Sequence, residues 1–165
     1  MRLATVRLNN EEQTVIIRND EVVLLRHLNE RLNKEYPLSL LPLIETDLLQ
    51  SLKRDCASLQ QEDWDAVQKL SLDEVHFVAP YRNPTHIFGV GMNYVEKAQD
   101  LQATPVDHAP VCFLKPATSL IGMNESIVLP RVSKRVTAEG ELSLIIGKRC
   151  FEVSEEEALD YVIGY

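Results

Sequence analysis

Two glutamates, Glu139 and Glu141, stand one residue apart at the mouth of an apolar run in "RVTAEGELSLIIGKR". Along an extended strand, residues i and i+2 leave the same face about 6.5 to 7 Å apart. Both carboxylates would then project together, while Gly140, Leu142, Leu144 and Ile146 take the other side. Two hard oxygen donors at that separation can close on one divalent ion, and Mg2+, Mn2+ or Ca2+ suits such an all-oxygen set. The same spacing also fits two ordinary carboxylates on a solvated sheet face. A second candidate is "HIFGVGMNY", where a strand runs into Gly89-x-Gly91. A dinucleotide-binding turn needs a third glycine where this chain has Tyr94, whose side chain would keep a helix away, so a glycine-rich bend is expected instead.

The elements that must position these residues fall into two textures. Residues 2–8 and 14–18 are rich in β-branched residues, with a turn at 19–21, and suggest a small opening sheet. In "EVVLLRHLNERLNKEY", Leu24, Leu25, Leu28 and Leu32 share one helical face, and Pro37 lies just past a plausible stop. Short amphipathic helices are expected at 47–55 and 62–70; in the latter Trp64, Val67 and Leu70 share a side, which makes the single Trp a core anchor. Pro80 and Pro84 mark 79–85 as a linker. Beyond it the apolar runs are short and strand-like, at 86–90, 111–114, 126–129 and 141–147. Ser154 and Glu157 have the spacing of a capping box, so a helix is expected to begin there.

Composition narrows the chemistry. A net charge of −8 over 165 residues disfavours nucleic acid, whose phosphates need a basic face. No stretch approaches the roughly 20 consecutive apolar residues of a membrane helix. The opening "MRLATVRLNNEEQ" lacks the apolar core of a secretory signal, so the expected compartment is the cytoplasm. Cys56, Cys112 and Cys150 are odd in number and widely spaced, which argues against a disulfide framework or a zinc site.

Taken together, "GVGMNY", "FLKP", "SLIG", "IVLP", "EGELSLIIGK" and "VSEEEALDYVIGY" occur in an order that resembles the catalytic domain of the fumarylacetoacetate hydrolase family. The resemblance implies an α+β protein: a small N-terminal subdomain over 1–79, then over 80–165 the first part of a β-rich catalytic domain, a mixed sheet or β-roll whose C-terminal half is absent. It implies that Glu139 and Glu141 are ligands of a divalent metal, usually Mg2+ and sometimes Mn2+ or Ca2+. It places Asn93, Tyr94 and Lys115 near an oxo-acid substrate, and it implies a homodimer. The implied chemistry is cleavage of a carbon–carbon bond in a 2-oxo or 1,3-diketo acid.

The chain departs from the family pattern after "NY". Lys97 and Asp100 stand where a histidine and a glutamate activate water in the family. Asp100, one helical turn from Lys97, would hold the lysine protonated and make it a poor base. Isomerisation or decarboxylation is therefore easier to support than hydrolysis. A family aspartate ligand lies beyond Tyr165, which leaves open a catalytically inactive chain that acts as an oligomer or as a partner's subunit.

Overall fold

The computed structural model describes residues 1–100 and 111–165, the side chains of Lys97, Ala98 and Asp100 excepted. Strands β1 (Arg2–Leu8), β2 (Glu11–Arg18) and β3 (Glu21–Leu24) form an antiparallel meander. With β4 (Lys69–Ser71) on β3 and β5 (His76–Phe77) on β1, they complete a five-stranded sheet of order β4-β3-β2-β1-β5. Both meander turns are two residues long with left-handed backbone: Asn9 and Asn10 at φ 49° and 66°, Asn19 and Asp20 at φ 49° and 61°. Asn and Asp tolerate this conformation, and such turns match the twist of the strands they join. They set the register, with Thr5 opposite Thr14 and Ile17 opposite Val22.

The sheet is buried on both faces, which explains why its strands read as runs of β-branched residues rather than as alternating ones. Ile16 and Val23, opposite each other across β2 and β3, join Leu25, Leu28, Leu43, Leu52 and Trp64 in one cluster, while Val6, Val15, Val22 and Leu24 form a second. The helices over the first face are α1 (Leu25–Leu32), α2 (Leu40–Glu45), α3 (Leu48–Ser58) and α4 (Gln61–Asp65). Helix α1 stops at Asn33, whose φ of 52° lets its N–H reach back to the last carbonyls. Trp64 is 4% exposed, with the Arg18 guanidinium 5.1 Å over its ring, and is the core anchor expected.

Two helical expectations are corrected by the structure. Glu21–Leu24 is a strand, because pairing to β2 and β4 satisfies its backbone and Val22 and Val23 fill opposite faces. The expected helix at 62–70 stops at Asp65, and Leu70 lies in β4 and packs on the second cluster instead of beside Trp64.

The segment 78–86 leaves the sheet without regular structure but is tied to it. The Thr5 hydroxyl donates to the Pro80 carbonyl, and Arg82 donates to Glu12 at 2.6 Å. Beyond it, β6 (Ile87–Gly91) pairs antiparallel with β7 (Val111–Lys115), and β8 (Ile145–Ile146) with β9 (Val162–Gly164). The strand expected at 126–129 is not formed, and the one expected at 141–147 shrinks to β8; among the described residues, neither stretch finds a longer ladder. The capping box at Ser154 is half made: Glu157 N–H donates to Ser154 Oγ at 3.3 Å. The expected α-helix is replaced by a turn and one 3-10 helix, Ala158–Tyr161, because the chain enters β9 at Val162 before an α-helix can propagate. Among the described residues, neither buried cluster takes one from beyond Tyr81, and Val128 and Val132 are 89% and 93% exposed.

Candidate functional site

The hairpin of β6 and β7 builds the first part of the site. Its register sets Gly89 opposite Phe113 and Ile87 opposite Lys115, so that Phe113 and Lys115 share one face. Gly89 is therefore not the bend expected from the sequence but a mid-strand position. A Cβ there would lie 2.1 Å from the Phe113 ring, so only glycine leaves room for that ring to lie across β6. The Lys115 ammonium sits 5.7 Å from the centroid of the Phe113 ring. Lys115 also lines an open cleft of ≈ 360 Å³ with Thr85, His86, Leu114 and Pro116, and the His86 ring stacks on Phe88 at 5.7 Å.

After β6 the chain turns through Met92, whose φ of 56° is unusual for a residue with a long side chain. Asn93 and the half-exposed Tyr94 come next and lead into helix α5 (Val95–Asp100). Lys97 and Asp100 fall on α5, and their side chains lie outside the described residues. The expected strand geometry does not extend to the acidic pair: Glu139 and Glu141 are both exposed, on a stretch without ladder pairing that becomes β8 only at Ile145. Among the described residues, no shared strand face therefore aligns the two carboxylates; they stay near each other along the chain. They are hard donors that fit a divalent cation, two in number. Among the described residues, no three His, Cys, Asp or Glu side chains are grouped to hold one ion. Water and the oxygens of a chelating ligand would have to complete the coordination.

One residue that organises this region, Glu125, is not singled out by the sequence. Its carboxylate accepts the Gly122 N–H at 2.7 Å, lies 3.7 Å from His76 of β5 and 3.9 Å from Arg7 of β1. The Gly122 N–H, then His76 and Arg7, hold its carboxyl below the usual range. Gly122 itself presses on the departing chain, since a Cβ would meet Val78 Cα at 2.9 Å and the Phe77 carbonyl oxygen at 3.0 Å. The loop after Lys115 is thus fastened to the N-terminal sheet. The one sequence signal was the turn-prone "GMNE", in which Asn124 takes φ 62°.

Comparison with known proteins bears on the family and the fold. Residues 86–165 match the fumarylacetoacetate hydrolase C-terminal domain. An uncharacterised protein of Pyrococcus abyssi is 51% identical over 82 residues, which cover 50% of this chain and 36% of that protein. The mitochondrial oxaloacetate tautomerase of Xenopus laevis is 40% identical over 96 residues, 58% of this chain and 30% of that protein. The chain thus spans about a third of the length of the curated relatives it matches. Maleylpyruvate hydrolase of Sphingobium sp. SYK-6, solved with manganese(II) and pyruvate, overlays all of this chain and 56% of its own with a TM-score of 0.73 at 26% identity. The α+β architecture expected from the sequence is the one this neighbour shares, and no helix among the described residues is long and apolar enough to cross a membrane. Through residues 86–165, just under half of its length, this chain is similar to the fumarylacetoacetate hydrolase family.

Proposed function

We propose that this chain serves a divalent-metal-dependent enzyme that interconverts the keto and enol forms of a 2-oxo acid, oxaloacetate being the first substrate to try. The observation that carries the reading is the residue type at position 97 on α5: a lysine, an ammonium donor where hydrolysis would need a water-activating base. The likeness to an oxaloacetate tautomerase supports it. Glu139 and Glu141 would hold Mg2+ or Mn2+, which when bound supplies Lewis acidity to a substrate carbonyl. Lys115, at the end of β7, balances the charge of the substrate carboxylate. Lys97 would offer an ammonium hydrogen bond to the substrate oxygen, with Asp100 one helical turn on, while solvent water takes the proton from the carbon and returns one to the oxygen, or the reverse. Asn93 and Tyr94, at the turn into α5, would border the substrate. A homodimer in the cytoplasm is part of the proposal.

The test monitors the ultraviolet absorbance of enol-oxaloacetate with and without Mn2+. Metal-dependent loss of the enol is expected, and it should vanish in Glu139→Gln and Glu141→Gln. Mn2+ binding by those variants should fall at least as far as the roughly 10- to 100-fold seen when an outer partner of a metal ligand is removed. Metal-dependent cleavage of an acylpyruvate with no effect on the enol would replace isomerisation by hydrolysis.

A second reading is a non-catalytic subunit, favoured by the apolar side chains that residues 111–165 leave exposed, among them Ile127 at 68%, Leu142 at 69% and Phe151 at 82%. Absence of Mn2+ binding together with a stable complex in sedimentation would select it.

A further inference from the structure

We infer that Phe113 is a positioning residue for the oxo-acid site, holding the Lys115 ammonium over its ring face while Gly89 seats the ring itself. The inference rests on the reading of Lys115 as the substrate's cationic partner and adds to it the device that aims that cation. Three observations carry it. First, the register puts Phe113 directly across from Gly89, where a methyl group would penetrate the ring at 2.1 Å, so the ring can lie down on β6 only at a glycine. Second, Lys115 lies two residues on along the same face of β7, and its Nζ stands 5.7 Å from the ring centroid, within the range of a cation–π contact. Third, Lys115 is one of the residues that line the cleft, with Thr85, His86 and Pro116, so the contact between ring and ammonium is made by a residue of a concave site.

A lysine on a four-carbon stem explores many rotamers, and ordering it on binding costs free energy. A ring beneath the ammonium removes part of that cost before a carboxylate arrives. The aromatic face and the carboxylate occupy different sides of the cation, so both contacts can be made at once.

The experiment titrates oxalate, a stable two-carbon dicarboxylate, into the Mn2+-loaded chain by calorimetry, for wild type, Phe113→Leu, Phe113→Tyr, Lys115→Met and the double variant Phe113→Leu/Lys115→Met. The contact at an exposed site predicts about a 2- to 5-fold weaker affinity for Phe113→Leu. Phe113→Tyr, which keeps the ring, should restore wild-type affinity. Lys115→Met should lose more than Phe113→Leu, and adding Phe113→Leu to it should change nothing further. Loss in Lys115→Met with wild-type affinity in Phe113→Leu would overturn the role of Phe113 and leave the reading of the site intact. Wild-type affinity in Lys115→Met, or no oxalate binding by the wild type, would overturn that reading and the inference with it. An independent measurement needs no ligand: the Lys115 Cε protons should show an upfield ring-current shift in the NMR spectrum of the wild type. The shift should persist in Phe113→Tyr and disappear in Phe113→Leu. Its absence from the wild type would also overturn the inference.

Discussion

Gly89 and Gly122 serve the same end in different places: each omits a methyl group where another part of the chain already lies. At Gly89 the obstacle is the Phe113 ring, a side chain that can swing. Gly89→Ala should therefore fold, at a cost of about 1–3 kcal/mol from overpacking, with Phe113 displaced. A lower Tm, together with a changed Phe113 ring environment in NMR spectra, checks this. The glycine is visible in the sequence, but its reason is not, because the register that brings Phe113 across from it depends on pairing over a long separation. Glu139 and Glu141 are the opposite case. Residue type and spacing make them candidates and the family resemblance singles them out, whereas their expected common strand face depended on a ladder partner that this stretch does not find among the described residues.

At the scale of elements, the junction between the sheet and the β6–β7 hairpin is held by contacts that local pattern does not announce. Gly122 faces backbone atoms, Val78 Cα and the Phe77 carbonyl oxygen, which cannot swing aside. Gly122→Ala should therefore loosen the loop from β5, seen as faster hydrogen exchange at Val78, whose N–H donates to the Thr5 carbonyl. The Glu12–Arg82 pair adds a pH dependence. The Arg82 guanidinium, aided by Arg7, holds Glu12 below its ordinary value of 4.5. A carboxyl lowered in the folded state contributes stability that is full above its unfolded pKa and is lost as pH falls through the folded one. Wild-type stability should thus decline below about pH 4.5 more steeply than that of Glu12→Gln, by a few tenths to about 1 kcal/mol. Acid titration of urea midpoints checks the sign. The elements read most easily from the sequence were those with local causes: β1 and β2 with their Asn turns, α3, and the Trp64 anchor. Of those misread, β3 at Glu21–Leu24 pairs with β2 across a two-residue turn and with β4 far along the chain, and β4 at Lys69–Ser71 is a strand because of that distant partner.

At the scale of the molecule, burial among the described residues is concentrated in one part. Both clusters draw on residues up to Tyr81, and the single tryptophan belongs to them. Trp64 fluorescence should therefore report one cooperative transition of the N-terminal unit. Amides over 123–144, where the described backbone has no ladder, should exchange within the earliest time points. Coincident protection of both regions would mean that they melt as one, and would count against a division near residue 79. The two-residue turns at Asn9-Asn10 and Asn19-Asp20 bear on how such a protein can change in length. Each fixes a register in which one added residue would rotate every later side chain by half a turn, sending Ile16 and Val15 to each other's side of the sheet. Insertions should be lethal to folding at those corners and harmless over 131–138, so growth and decoration of this scaffold have room beside the acidic pair and almost none around the meander.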